Sequence, residues 1–183
     1  WINLERSSDR KTKMEKLFKI YNIKNTRVDA IDGNDINVEE YKKMYNINTK
    51  MSKYEIACSC SHLKAIQMAY DKNLDYVLIM EDDINFEYFK YNTNTFKILL
   101  EELQKVNGVC LQICLTNADH EFNNISKNKN LLLKGWTNCA GAYLITKQGM
   151  KDVLDAMEST KQMEVSERII FRIINNYMTK PYF

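Results

Sequence analysis

Apolar residues recur along this chain at two spacings, and the two alternate. "WINL" (1–4) is a short apolar strand. In "DRKTKMEKLFKIYNI" (9–23), Met14, Leu17, Phe18 and Tyr21 fall at i, i+3, i+4 and i+7, which predicts an amphipathic helix. "TRVDAIDG" (26–33) reads as a second strand that Gly33 ends. Residues 34–51 are polar and weakly patterned, a loop with a helical turn. "SKYE" (52–55) has the form of a capping box, opening a helix that runs to about Tyr70 with Ile56, Leu63, Ile66 and Tyr70 on its apolar side.

Further on, "DYVLIM" (75–80) predicts a buried strand, residues 95–106 a helix and "VCLQICL" (109–115) another strand. Residues 116–130 are Asn-rich and polar, a long surface loop. "LLL" (131–133) and "AYLIT" (142–146) are strands; "KQGMKDVLDAM" (147–157) and "ERIIFRIINNY" (167–177) are helical. Alternation of this kind predicts an α/β fold, a mainly parallel central sheet flanked by helices. No internal repeat and no linker interrupts it, so residues 1–183 read as one domain, a fragment of a longer chain since it starts at Trp1.

Composition narrows the class. At 45% hydrophobic the chain can bury a sizeable core and is not a disordered one. With 26 basic and 24 acidic residues, its charge does not favour a nucleic-acid partner. The longest apolar runs are far too short to cross a bilayer, and no secretory segment follows the start. Five cysteines, Cys58, Cys60, Cys110, Cys114 and Cys139, lack framework spacing. The close pairs Cys58/Cys60 and Cys110/Cys114 lack C-x-x-C spacing as well, so reduced thiols are expected rather than a structural zinc site. Reduced thiols suit a cytosolic-type environment, and the expected location is the cytoplasm or a virion or host compartment.

The candidate chemistry lies where "DYVLIM" stops. Glu81, Asp82 and Asp83 follow the apolar run directly. Open α/β sheets bind ligands outside the carboxyl ends of their strands, and carboxylates there suit a hard cation such as Mg²⁺ or Mn²⁺. A solvated strand end or a helix N-cap would use the same acids. Arg6 and Arg10 follow the first strand, where guanidinium forks hold phosphates and where a helix start also exposes arginines.

Five stretches, "INLERSSDRK", "RVDAIDG", "EIACSCSHLKAI", "YVLIMEDDINF" and "CAGAYLITKQGMKDVL", together resemble glycosyltransferase family 25. That group includes bacterial lipooligosaccharide galactosyltransferases and animal collagen galactosyltransferases. The resemblance implies a Rossmann-like, nucleotide-sugar-binding fold of the GT-A type. It implies an inverting hexosyltransferase acting on a UDP-hexose, galactose or glucose, and needing Mn²⁺ or Mg²⁺. The acceptor would be a glycan, a lipid-linked sugar or hydroxylysine.

The resemblance makes Asp83 the direct metal ligand and Glu81 a second metal-site residue, facing the ribose or a metal-bound water. Asn3, Leu4 and Arg6 would lie near the base and phosphates. Arg10 joins the donor-site candidates from its place after the first strand. Asp32 and Gly33, at the end of the second strand, are candidates for a ribose or base contact by analogy with other nucleotide folds. Asp82, on the other side of a strand-like backbone, is either part of the donor site or structural. The Ser61-His62 pair implies that His62 lines the active site, although a lone His is commonly structural. Trp136 and Asn138, before "CAGAYLIT", are acceptor candidates, and Trp136 suits packing equally.

The acid expected to serve as base is replaced. Ser166 stands at the family's acidic position, flanked by Glu164 and Glu167. Either Glu takes the role, or the segment is a plain helix start with Ser166 as N-cap. A catalytically weak nucleotide-sugar-binding module is therefore the alternative. A metal-dependent phosphoesterase ranks below both, since no second dispersed set of Asp/His ligands is evident.

Overall fold

In the computed structural model, residues 1–47, 50–85, 95–113, 132–136, 138–172 and 176–179 are described. The elements in chain order are β1 (Ile2–Asn3), α1 (Ser8–Ile20), β2 (Val28–Asp29), α2 (Val38–Met44), β3 (Asn46–Ile47), α3 (Lys53–Asp71) and β4 (Tyr76–Met80). Then follow α4 (Thr95–Lys105), β5 (Cys110–Gln112), β6 (Leu132–Lys134), β7 (Ala142–Thr146), α5 (Lys147–Thr160), β8 (Gln162–Met163), α6 (Ser166–Phe171) and β9 (Asn176–Thr179). The fold is mixed α/β.

The largest sheet has the order β4-β7-β5-β9-β6. Three of its four pairings are antiparallel, and only β5–β9 is parallel. The expected mainly parallel sheet is corrected accordingly. β1 and β2 pair in parallel, and a parallel bridge from Ile2 to Glu81 joins them to the end of β4. Across β2-β1-β4-β7-β5-β9-β6, five strands therefore run one way, with β7 and β6 opposed. Strand–helix alternation sets the direction of successive strands. It does not reveal which strand slots between them, and β7 inserts between β4 and β5.

Side chains alternate across the sheet, and the two faces have separate partners. Ile79, Cys110, Tyr143 and Ile145 face a core with Ile56 and Ile66 of α3, Met150 and Val153 of α5, and Ile170 and Phe171 of α6. Met80, Ala142, Leu111 and Leu144 face the other way, toward Met14 and Phe18 of α1 and Leu99 and Leu103 of α4. Helices on both sides explain why "AYLIT" is apolar almost throughout: β7 is buried on both faces. β4 is less enclosed, because β1 meets it only at its end; Tyr76 is 51% exposed and burial is complete only at Ile79 and Met80.

The capping box is formed: Ser52 Oγ accepts from the Glu55 amide and the Glu55 carboxylate accepts from the Ser52 amide. Two expectations at the C-terminal end are corrected. The helix predicted over 167–177 stops at Phe171, and Asn176–Thr179 form β9 beside β5. The run "IIFRIINNYM" has helical spacing, but short apolar runs are ambiguous and only sheet pairing decides them. Residues 34–51 hold a two-turn helix and a short strand, where a looser segment was expected. The predicted polar loop 116–130 lies outside the described residues.

Gly149, in the first turn of α5, lies tight against the residue that precedes β5. A Cβ there would lie 2.6 Å from the Val109 carbonyl oxygen. Gly149→Ala is expected to destabilise by about 1–3 kcal/mol, as overpacking does. Thermal unfolding should show it as a fall in Tm of about 2–4 °C per kcal/mol; an unchanged Tm would mean that α5 shifts freely on the sheet.

Candidate functional site

β1, β2 and β4 run in parallel, so their carboxyl ends open on the same side. There they meet the N-terminal turn of α1 and one face of α3. The cleft between them is lined by Asn3, Leu4, Arg6, Arg10, Gly33, Tyr54, Cys58, Ser61, His62, Glu81 and Asp82. Eight of the sequence candidates thus converge from segments up to 79 residues apart. Ser61 Oγ accepts from the Ile31 amide (2.9 Å) and donates to the Ala57 carbonyl (2.7 Å), which pins the loop after β2 to α3. Gly33 allows Tyr54 close in: a Cβ would meet its ring at 2.5 Å.

The three acids have different surroundings. Asp82 is buried and accepts from Asn3 Nδ2 (2.6 Å) and Arg10 Nη1 (2.8 Å). Asn3 is itself buried, and its Oδ1 accepts from Arg27 Nε (2.8 Å). Both side chains are committed to tying β1 to the end of β4, so they shape the cleft from behind. Asp83 is half-exposed, with Arg10 Nη1 3.3 Å from Oδ2. Glu81 turns the other way, and its Oε1 meets His62 Nε2 at 3.0 Å.

His62 is as enclosed as Asn3, at 1% exposure. Its Nδ1 lies 3.1 Å from the Tyr143 hydroxyl on β7. Burial alone would lower its pKa; the hydrogen bonds and charges of Cys58 and Glu81 outweigh that and raise it to about 9. The contact between His62 Nε2 and Glu81 Oε1 orients the Glu81 carboxylate. Tyr143 is the member of this set that sequence reasoning missed. It sits inside an apolar strand, and nothing local marks it as a hydrogen-bond partner.

At the mouth of the cleft, Arg6 pairs with Asp32, whose carboxylate also accepts from the Asn34 amide (2.9 Å). That pair holds the Asp32 carboxyl below its usual range. Asp32 thus sits behind Arg6 and outside the cleft lining. The segment with the two candidate bases packs against α3: Ser59 Oγ donates to the Glu164 carbonyl (2.9 Å), and Cys58 Sγ lies 3.8 Å from Ser166 Oγ. Ser166 is the first residue of α6 and not its N-cap, which is Val165. Ser166 Oγ is 3.2 Å from Glu167 Oε2, which puts Glu167 beside the Cys58 edge of the cleft. Glu164 leans toward Arg172 (3.6 Å). Trp136 packs on Phe171, ring centroids 6.4 Å apart, and Asn138 is exposed; neither lines the cleft.

Among the described residues, no helix is long and apolar enough to cross a membrane.

The protein is a mixed α/β domain with charged side chains gathered in a cleft at its strand ends. Residues 1–169 match the model of glycosyltransferase family 25 (LPS biosynthesis protein). A glycosyltransferase 25 family member of Drosophila melanogaster is 29% identical over 178 residues, 91% of this chain and 29% of that protein. Procollagen galactosyltransferase 1-A of Xenopus laevis is 26% identical over 182 residues, 91% of this chain and 29% of that protein. The chain thus spans less than a third of the relatives it matches. It belongs to glycosyltransferase family 25, as the five motifs implied.

Proposed function

We propose that this domain transfers a hexose from a UDP-sugar to a hydroxyl acceptor, with Mn²⁺ or Mg²⁺ as cofactor. One observation carries the reading: the carboxyl ends of β1, β2 and β4 bring Arg6, Arg10, Glu81 and Asp82 to one cleft, and Asp83 follows directly, 3.3 Å from Arg10. The strand order, with five strands in one direction and β7 opposed, suits a GT-A type fold. The names of the procollagen galactosyltransferase relatives favour galactose as the sugar.

Arg6 and Arg10 would hold the diphosphate, each by exchanging a carboxylate partner for phosphate oxygens. Half-exposed Asp83 offers oxygen donors at an open strand end, which fits a hard cation that completes its shell with phosphate and water. Such a cation supplies Lewis-acid stabilisation of the departing UDP. Glu81, held by His62, faces the cleft beside it. Glu167 would take the proton from the acceptor hydroxyl while that oxygen bonds to the anomeric carbon and the bond to UDP breaks. Serine at the family's acidic position keeps a second reading in view, a module that binds the donor without turning it over.

Calorimetry of UDP binding tests the coupling of donor and metal. Binding should be weak in EDTA and clearly tighter in Mn²⁺; equal affinity in both would refute metal-assisted donor binding. Release of UDP from UDP-galactose separates the enzyme from the module.

A further inference from the structure

Cys58 and His62 stand one turn apart on α3, on the face turned toward the end of β4. Cys58 Sγ, a ring nitrogen of His62 and a carboxylate oxygen of Glu81 all lie within 4.8 Å of one another. A tetrahedral ion with bonds of about 2.0–2.3 Å spaces its donors about 3.3–3.8 Å apart, so small side-chain rotations bring these three into range. His62 is already prepared for that role. Its Nδ1 is engaged by the Tyr143 hydroxyl, which leaves Nε2 aimed at Glu81. A hydrogen bond on the far ring nitrogen is the outer support that metal-bound imidazoles have. Cys58 is exposed and lines the cleft, so an ion has an entry path and room for a water as fourth ligand. Cys60 turns into the core, so the ligand set is not a Cys58/Cys60 pair.

We propose that Cys58, His62 and Glu81 form a three-ligand site for a thiophilic divalent cation of the Zn²⁺ class. The donor set decides the metal. Thiolate and imidazole select Zn²⁺ or Co²⁺ over Mg²⁺ and Mn²⁺, which prefer all-oxygen shells such as Asp83 offers. The ion takes the place of the direct His62 Nε2–Glu81 contact. The site requires nothing of the transfer reaction and stands if that reading fails.

Cobalt spectroscopy on the whole chain, stripped with EDTA, tests it. One equivalent of Co²⁺ should give a thiolate-to-metal charge-transfer band and strong tetrahedral visible bands, both bleached by one equivalent of Zn²⁺. Cys58→Ser should abolish the charge-transfer band and weaken Zn²⁺ binding by about 10-fold or more. Cys139→Ser should keep the band. Alkylation of Cys58 in the unmutated chain, mapped by mass spectrometry, should be slowed by Zn²⁺ and not by Mg²⁺; this arm holds even if a variant misfolds. A missing thiolate band, a band that survives Cys58→Ser, or alkylation indifferent to Zn²⁺ would overturn the proposal.

Discussion

Asp83→Asn is expected to cut sugar transfer or donor hydrolysis by about 100-fold or more, while the fold stays intact. The substitution removes a ligand charge, and cation stabilisation of a leaving group amounts to several kcal/mol. It leaves the structure alone because Asp83 is half-exposed and, among the described residues, its ion-pair partner is the exposed Arg10. UDP release at limiting Mn²⁺, with thermal unfolding as a control, measures both. Turnover equal to the unsubstituted chain would remove Asp83 as a ligand. Asp82→Asn makes the informative contrast. Its cost should appear in stability, about 1.5–3 kcal/mol for a buried carboxylate that accepts from Asn3 and Arg10. Two adjacent acids would then separate into a functional and a structural one.

The second large effect is expected at Glu167. Glutamine keeps the size and hydrogen bonding of glutamate but cannot accept the acceptor's proton. Glu167→Gln should depress transfer by about 10²–10⁴-fold, with UDP-sugar affinity nearly unchanged. Glu164→Gln should be close to unaffected, because Glu164 leans to Arg172, whereas Glu167 lies beside Ser166, whose hydroxyl is 3.8 Å from Cys58 Sγ. Initial rates with saturating donor, set beside donor affinity, distinguish the two. If both variants transfer normally the base lies elsewhere, and Asp119, outside the described residues, becomes the next candidate.

Much of this site was legible locally. An apolar strand that ends in three acids announces a strand-end cluster, because a buried strand cannot keep carboxylates in its middle. "SKYE" announced the start of α3, since a capping box involves only four residues. The helical spacing of Cys58 and His62 could be read as a shared face. Their partners could not: Glu81 is 19 residues from His62 and Tyr143 is 81. Cys58 was discounted as one half of a cysteine pair, when the relevant neighbour was a histidine one turn on.

The C-terminal third shows the other side. "IIFRIINNYM" carries apolar residues that suit a helix or a strand, and Asn175-Asn176 was the available sign of a break. β9 exists because β5 and β6 offer it paired edges. The sequence by itself determined the α/β class, the strand-end acids, the capped helix of the site and the family, all of which depend on short-range pattern. Only the tertiary structure decided the insertion of β7 against its neighbours, the burial of Asp82 behind Asn3 and Arg10, and the meeting of Cys58, His62 and Glu81. Each of these depends on which distant segments share an edge or a cleft, and pairing energy between segments leaves no mark in either segment alone.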